Sequence, residues 1–279
     1  MKSVLEVIQS SKAYFEKHGV DHPRLNIEHL LAHTLKMRRM DLYLQFDRPL
    51  ADAELEPLRD LVRRRANGEP LQHLLGTVEF LGRTFISDAR GLIPRPETEQ
   101  LCELLLEERK ADKFKGRVLD VGVGSGVIAL TLAAEWPEAE VEAVDVSPDA
   151  LALAGENAAK LGLSERVKFT RSDLFTETQG KYGLIVANLP YIASEEIPTL
   201  SREVRRDPHL ALDGGAKGME IISRLIQEAP ARLEGDLALE IGCDQAAAVR
   251  EELTRHNFRD IRATSDYQGR SRFVFAKHG

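Results

Sequence analysis

Asp120-Val121-Gly122-Val123-Gly124-Ser125-Gly126 closes one apolar segment and runs straight into another, VIALTLAAEW. Glycines at alternate positions leave no side chain where a backbone must turn tightly, and they let a ligand come up against the main chain. The next apolar segment ends in Asp145, whose carboxylate can accept from the two hydroxyls of a ribose in such a geometry. A Gly-rich turn alone says little. Strand, turn, helix and an acid at the next strand end together point to a cofactor of the adenosine type. The spacing is G-x-G-x-G rather than the G-x-G-x-x-G of dinucleotide sites, and no Gly-Lys-Ser/Thr follows to hold a triphosphate. Further on, the apolar run LIVA leads into Asn188-Leu189-Pro190-Tyr191, a carboxamide, a rigid ring and an aromatic in close succession. Ligands of open α/β sheets sit at the carboxyl ends of strands, so this cluster is expected to face the cofactor.

The surrounding elements agree with that placement. From Arg117 onward, strand and helix patterns alternate, with strands expected at RVLDVGV, VEAVDVS, VKFTRSD, GLIVANL and DLALEIG. Alternation of this kind implies a doubly wound, mostly parallel sheet. Two last strands, IRATSDY and RFVFAKH, are separated only by a turn around QGR, too short for a crossover helix, so they form an antiparallel hairpin. Ser147 and Pro148 suit the cap and first residue of a helix. Trp136 is expected to close and pack the helix after the Gly-rich turn. Before all this, Val4, Leu5, Ile8 and Phe15 fall at helical spacing, with Gly19 as a C-terminal cap. A second helix is read through IEHLLAHTLKM and a third through ADAELEPLRDLVRRRANG, where Pro57 predicts a late start or a kink. TVEFLGRTFIS reads as a hairpin and the Pro-punctuated GLIPRPETE as a stiff junction. The expected division is a helical bundle over 1–75, hairpin and linker over 76–100, and the catalytic domain over 101–279.

Bulk properties exclude several classes. No apolar run approaches the roughly 18 residues of a membrane span, and the charged N-terminus lacks a signal-peptide core, so a cytoplasmic setting is expected. Two cysteines, Cys102 and Cys243, build neither a disulfide framework nor a four-Cys zinc site. His29 and His33 lie four apart on a helix without the glutamate pattern of a zinc site, and no metal is expected. A net charge of −7 argues against a surface devoted to nucleic acid. The runs Arg63-Arg64-Arg65 and Arg202, Arg205, Arg206 are read as solvated faces.

The Gly-rich segment with its leading Asp120 resembles the first motif of class I S-adenosylmethionine methyltransferases, and the C-terminal hairpin resembles that fold's antiparallel strand pair. The resemblance implies a seven-stranded Rossmann-like sheet with Asp120, Gly122, Val123, Gly124, Ser125, Gly126, Asp145 and Asn188 around the cofactor. It also puts Asp173 and Leu174 beside the adenine, although an acid there can equally cap a helix. Asn188-Leu189-Pro190-Tyr191 is similar to the (N/D/S)PP(Y/F/W) signature of enzymes that methylate planar NH2 groups. The Asn188 side-chain oxygen and the Leu189 carbonyl can each accept one N–H of such a group, Pro190 fixes the backbone, and Tyr191 stacks on the plane. Leu189 stands where that signature usually has Pro, which keeps the carbonyl and gives up some rigidity. The spelling NLPY also occurs in rRNA adenine dimethyltransferases, so an N6-adenine methyltransferase acting on rRNA or DNA is the alternative, and a catalytically dead adaptor is a third. IPRPETE, the preceding QHLLGTVEFLGRTF and the closing DYQGRSR decide between them, because they resemble the PrmC/HemK family of release factor glutamine methyltransferases. That resemblance implies transfer of a methyl group to N5 of the glutamine in the GGQ loop of class 1 peptide chain release factors. It further implies docking by the helical domain and an IPRPETE segment beside the methyl-transfer cleft.

Overall fold

A computed structural model describes residues 2–111 and 113–279. The chain falls into two compact units. One holds the N-terminal residues up to Thr77 together with Ser201–Arg206, and the other holds Val78–Leu200 and Asp207–Gly279.

The first unit is helical. Helix α1 (Val4–Lys17) starts at Ser3, whose hydroxyl accepts from Glu6 N while the Glu6 carboxylate accepts from Ser3 N, a reciprocal cap that satisfies two orphan donors. Helix α2 (Pro23–Thr34) begins earlier than its apolar pattern, because Pro23 is preset for a first helical position. Helix α3 (Asp52–Ala66) starts at Asp52 with Pro57 inside it, so the late start expected from that proline does not occur. A short α4 (Leu71–Leu75) follows. Val4, Phe15, Ile27, Leu30, Leu31 and Leu42 form the dry centre.

Two polar knots set this unit's shape. Glu28, almost fully buried, accepts from Arg24, Arg39 and Tyr43. Arg65 is buried too, against the expectation of a solvated arginine face: it donates to Asn26 Oδ1, to Glu69 O and to the carboxylate of Glu203. Arg202 likewise donates to His18 O at 2.8 Å, so Ser201–Arg206 is bonded to the helices despite its distance in sequence.

The second unit opens with a hairpin, β1 (Thr77–Phe80) and β2 (Arg83–Ile86). Its turn, Leu81-Gly82, has φ of +44° and +71°, which matches the right-handed twist of the strands it joins. Phe80 and Phe85 meet edge to face and are fully buried. Helix α5 (Pro96–Glu108) follows, so the second half of IPRPETE is the first turn of a helix and not a linker. Then come β3 (Arg117–Val121), α6 (Val127–Glu135), β4 (Glu140–Asp145), α7 (Pro148–Leu161), β5 (Val167–Arg171) and β6 (Tyr182–Asn188). The chain ends with α8 (Glu220–Glu228), β7 (Leu233–Glu240), α9 (Ala246–Arg255), β8 (Arg259–Ser265) and β9 (Ser271–His278). The seven strands are ordered β5-β4-β3-β6-β7-β9-β8, parallel up to β7 and antiparallel beyond.

Successive strands are added on one side of β3 up to β5 and on its other side from β6, so the strand order reverses between β3 and β6, which is where an open sheet of this kind opens a crevice. The period of two then sorts the side chains. Val118, Leu184, Val186 and Ala238 enter the core shared with α5 and α6, while Leu119, Val121, Ile185, Ala187, Leu237 and Leu239 enter the opposite one. By the same parity, Asp120, Asn188 and Glu240 belong to the α5–α6 face.

Candidate active site

At the carboxyl ends of β3, β4 and β6 lies a cavity of about 320 Å³. Its wall at β3 and β4 is made mostly of backbone. Gly122 N and Val123 N donate to Val144 O at 2.8 and 3.0 Å, which folds the Gly-rich loop over the end of β4. Gly122 has φ +82°, which favours glycine at the turn, and a Cβ there would stand only 3.0 Å from Leu189 Cδ2, so the loop and the Asn188–Tyr191 segment approach closely. Asp145 accepts from Gly124 N at 3.0 Å and Ser147 N at 2.9 Å. Burial raises its carboxyl above the ordinary range while those two N–H bonds oppose the shift. Carboxylate lone pairs remain for a ligand in the cavity that Asp145 lines. Ser147 caps α7 by accepting from Ala150 N, which fixes the loop behind Asp145. Trp136, buried, closes α6.

Val123, Gly124, Ser125, Asp173, Leu174, Asn188, Leu189 and Pro190 also line the cavity, whereas Asp120, Gly126 and Tyr191 do not. The parity of β3 explains Asp120: it faces α6, whose Ala129 N donates to its Oδ2 at 3.0 Å. Its other oxygen is buried without a partner, and burial pushes the carboxyl up to about 7. Gly126, at φ +86°, is the cap of α6 and abuts Leu130 and Ala154. Asp173 caps no helix; a turn follows it, and its carboxylate pairs with Arg224 at 2.9 Å. Leu174 next to it has φ +47°, an uncommon conformation for a branched side chain, held in place by Ser172 Oγ donating to Leu174 O.

The wall formed by Asn188–Tyr191 is pinned from several directions. Asn188 Nδ2 donates to Thr98 Oγ1 at 3.0 Å, and Thr98 Oγ1 donates to Glu240 Oε2 at 2.8 Å. Burial pushes Glu240 up to about 7, while its bond from Thr98 and the nearby Arg272 pull it down. The Arg272 guanidinium lies 5.8 Å from the Tyr191 ring centroid. Burial first, and then the Glu240 charge, push the Tyr191 phenol up to about 12, so it stays protonated. Gln245 Nε2 donates to Tyr191 O and Gly218 O at 2.9 and 3.0 Å. Gly214 and Gly218 lie so near the clamp that a Cβ would come within 2.6 Å of Pro190 O and 2.3 Å of Tyr191 O.

IPRPETE meets this wall directly. Pro94 and Thr98 line the cavity, and Arg95 pairs with the buried Asp207 at 2.6 Å. Burial lifts Asp207 to about 6 against the pull of Arg95. Glu99 accepts from Leu81 N of the hairpin, and Gln100 Oε1 accepts from Tyr267 N of the DYQGRSR segment.

The release factor glutamine methyltransferase of Chlorobaculum tepidum is 41% identical to this chain over 277 residues, 95% of this chain and 94% of its own length. That of Deinococcus radiodurans is 42% identical over 275 residues, 98% and 97% of the two chains. The chain belongs to the release factor glutamine methyltransferases. Family models described as the PrmC N-terminal domain and the methyltransferase small domain match residues 6–76 and 86–206. A Thermus thermophilus 16S rRNA methyltransferase in complex with AdoMet and guanosine superposes with a TM-score of 0.52 at 18% identity, over 73% of this chain and 50% of its own, and shares the fold. Like its relatives, this member of the family is an enzyme that methylates a release factor glutamine.

Within this release factor glutamine methyltransferase, sequence reading had no route to Glu240, Gln245, Gly214 and Gly218, which sit in ordinary apolar or Gly-rich surroundings. The helix start at Pro96 was signalled, by Pro at the first position and the acids Glu97 and Glu99 in the first turn.

Proposed function

We propose that S-adenosylmethionine occupies the cavity at the β3–β4–β6 strand ends. We further propose that the glutamine of the GGQ loop of class 1 release factors is presented to it by Asn188 and the Leu189 carbonyl. One observation carries the reading: Asn188 lines the same cavity as the Gly122–Ser125 loop and Asp145, on the strand next to β3. The bare backbone at Gly122 and the lone pairs of Asp145 fit a nucleoside with a vicinal diol. S-adenosylmethionine supplies an electrophilic sulfonium methyl when bound.

Everything else falls to the chain's own groups. An amide nitrogen is a weak nucleophile because its lone pair is delocalised into the carbonyl. Acceptors at Asn188 Oδ1 and Leu189 O take its two N–H bonds, orient the nitrogen, and favour the pyramidal geometry it reaches in the transition state. The reaction needs no base beforehand, since the nitrogen becomes acidic only as it gains the methyl group. Gln245, Gly214 and Gly218 hold the Pro190-Tyr191 backbone so that these acceptors do not drift. The helical unit serves to dock the release factor, and a cytoplasmic setting follows from a substrate that works on ribosomes.

The test is methyl transfer from labelled S-adenosylmethionine to a purified class 1 release factor, beside bulk rRNA and DNA, with the modified atom mapped by mass spectrometry. Label on the GGQ glutamine alone is expected. Label on adenine instead would overturn the placement of an amide in the clamp.

A further inference from the structure

Asn188 and Glu240 are register partners on adjacent parallel strands, and both belong to the face covered by α5. Thr98, in the first turn of that helix, stands between them with its hydroxyl bonded to each. Thr98 and Glu240 are buried, with 4% and 2% of their surface exposed. A hydroxyl has one proton to give and lone pairs to accept with. Glu240 takes the proton, so Thr98 has only an acceptor to offer to Asn188. The Asn188 amide must then turn its NH2 inward and its oxygen toward the cavity.

We propose that Thr98 and Glu240 are positioning residues that decide which end of the Asn188 carboxamide meets the substrate. This rests on Asn188 being the clamp. The reversed carboxamide sets an oxygen against the lone pairs of Thr98 and shows an NH2 to the substrate's own NH2, so neither contact can form. The carboxylate thus fixes the polarity of the Asn188 amide in two ways, through the Thr98 hydroxyl and by its own bond to the Asn188 side chain. It also gives IPRPETE a function that a linker would not have: its threonine is the middle of a chain that runs from the centre of the sheet to the cavity. Arg272 from β9 and Glu97 from α5 flank Glu240, while Cys102 and Tyr191 are the neutral titratable groups nearby.

The experiment compares Thr98→Val, Thr98→Ser, Glu240→Gln and Asn188→Ala in the full chain, with a purified release factor as substrate. Turnover, KM for the release factor and calorimetric affinity for S-adenosylmethionine are measured for each. Thr98→Val, which keeps the shape and loses the hydroxyl, is expected to lower kcat at least tenfold with KM and cofactor affinity within threefold. Thr98→Ser, which keeps the hydroxyl and loses the methyl, is expected to return kcat to within threefold of wild type. Glu240→Gln, which can donate to Thr98 as well as accept, should fall between them. Thr98→Val at wild-type kcat would overturn the proposal, as would valine and serine being equally impaired, which would assign the effect to packing. Retained binding of S-adenosylmethionine shows that each variant is folded. An active Asn188→Ala would instead remove the clamp reading itself, whatever the Thr98 variants do.

Discussion

The two walls of the cavity are built on different principles. The wall at β3 and β4 is local: the Gly-rich loop, the end of β4, Asp145 and the Ser147 cap all come from residues 121–150, and backbone N–H groups make most of its bonds. The wall at the end of β6 is assembled from afar. Thr98 reaches across 90 residues to Asn188 and 142 to Glu240, and Gln245 reaches across 54 to Tyr191. A wall made of backbone tolerates side-chain change as long as its glycines remain. A wall made of side chains fails at single atoms.

Asn188→Ala attacks the second wall at its tip, and turnover should fall about 10²- to 10³-fold, the scale of losing one preorganised transition-state partner. Calorimetry should show S-adenosylmethionine binding within a few-fold of wild type. Equal loss of binding and turnover would mean that the walls are not separable. Asp145→Ala attacks the first wall: cofactor affinity should weaken about 10- to 100-fold, as for loss of hydrogen bonds to a charged group, with turnover at saturation largely kept. Gln245 does not line the cavity, so Gln245→Leu acts on the second wall from behind. It strips the donor from Tyr191 O and Gly218 O and the acceptor from Gly242 N, and chemical denaturation should register about 1–3 kcal/mol of lost stability for each of these groups left buried without a partner. Turnover should drop severalfold.

The smallest effect concerns pH. Asp120 in the folded protein stays protonated up to about 7, against an ordinary value of 3.8. Its stabilising contribution is therefore complete below about pH 4 and is lost as pH rises through 7, because the folded state holds a proton that the unfolded chain has released. An amide does not titrate. Melting of the free protein between pH 4 and 8 should show Asp120→Asn gaining on wild type as pH rises, whatever constant offset the amide introduces. A gap that does not change with pH would mean that Asp120 is ionised throughout.

The same contrast explains what could be read from the sequence. Asp145, Gly122 and the Ser147 cap were legible because turn chemistry and strand ends are written in neighbouring residues. NLPY was legible as a cluster at a strand end, and its partners were not. Nothing about Glu240 in DLALEIG distinguishes it from a solvent-facing strand residue until β7 is known to lie beside β6 with Asn188 opposite. Asp120 failed for a related reason: which face of β3 it occupies depends on where α6 packs. Pro57 misled because a single missing donor does not stop a helix whose first turn is already capped, with Glu54 accepting from Ala51 N. Arg65 misled because its neighbours Arg63 and Arg64 are indeed surface residues, paired with Asp60 and Glu69, while one step round the helix lies the interior.

That last residue has a consequence for anyone who would recombine these enzymes. Its carboxylate partner, Glu203, is encoded well over a hundred positions downstream, inside what a linear map would assign to the catalytic half. A chimera that joined the helices of one relative to the remainder of another at residue 77 would separate the pair and leave a guanidinium in the interior facing a stranger's loop. Exchange of the helical unit within this family is therefore a two-piece graft, in which residues 201–206 travel with the N-terminus.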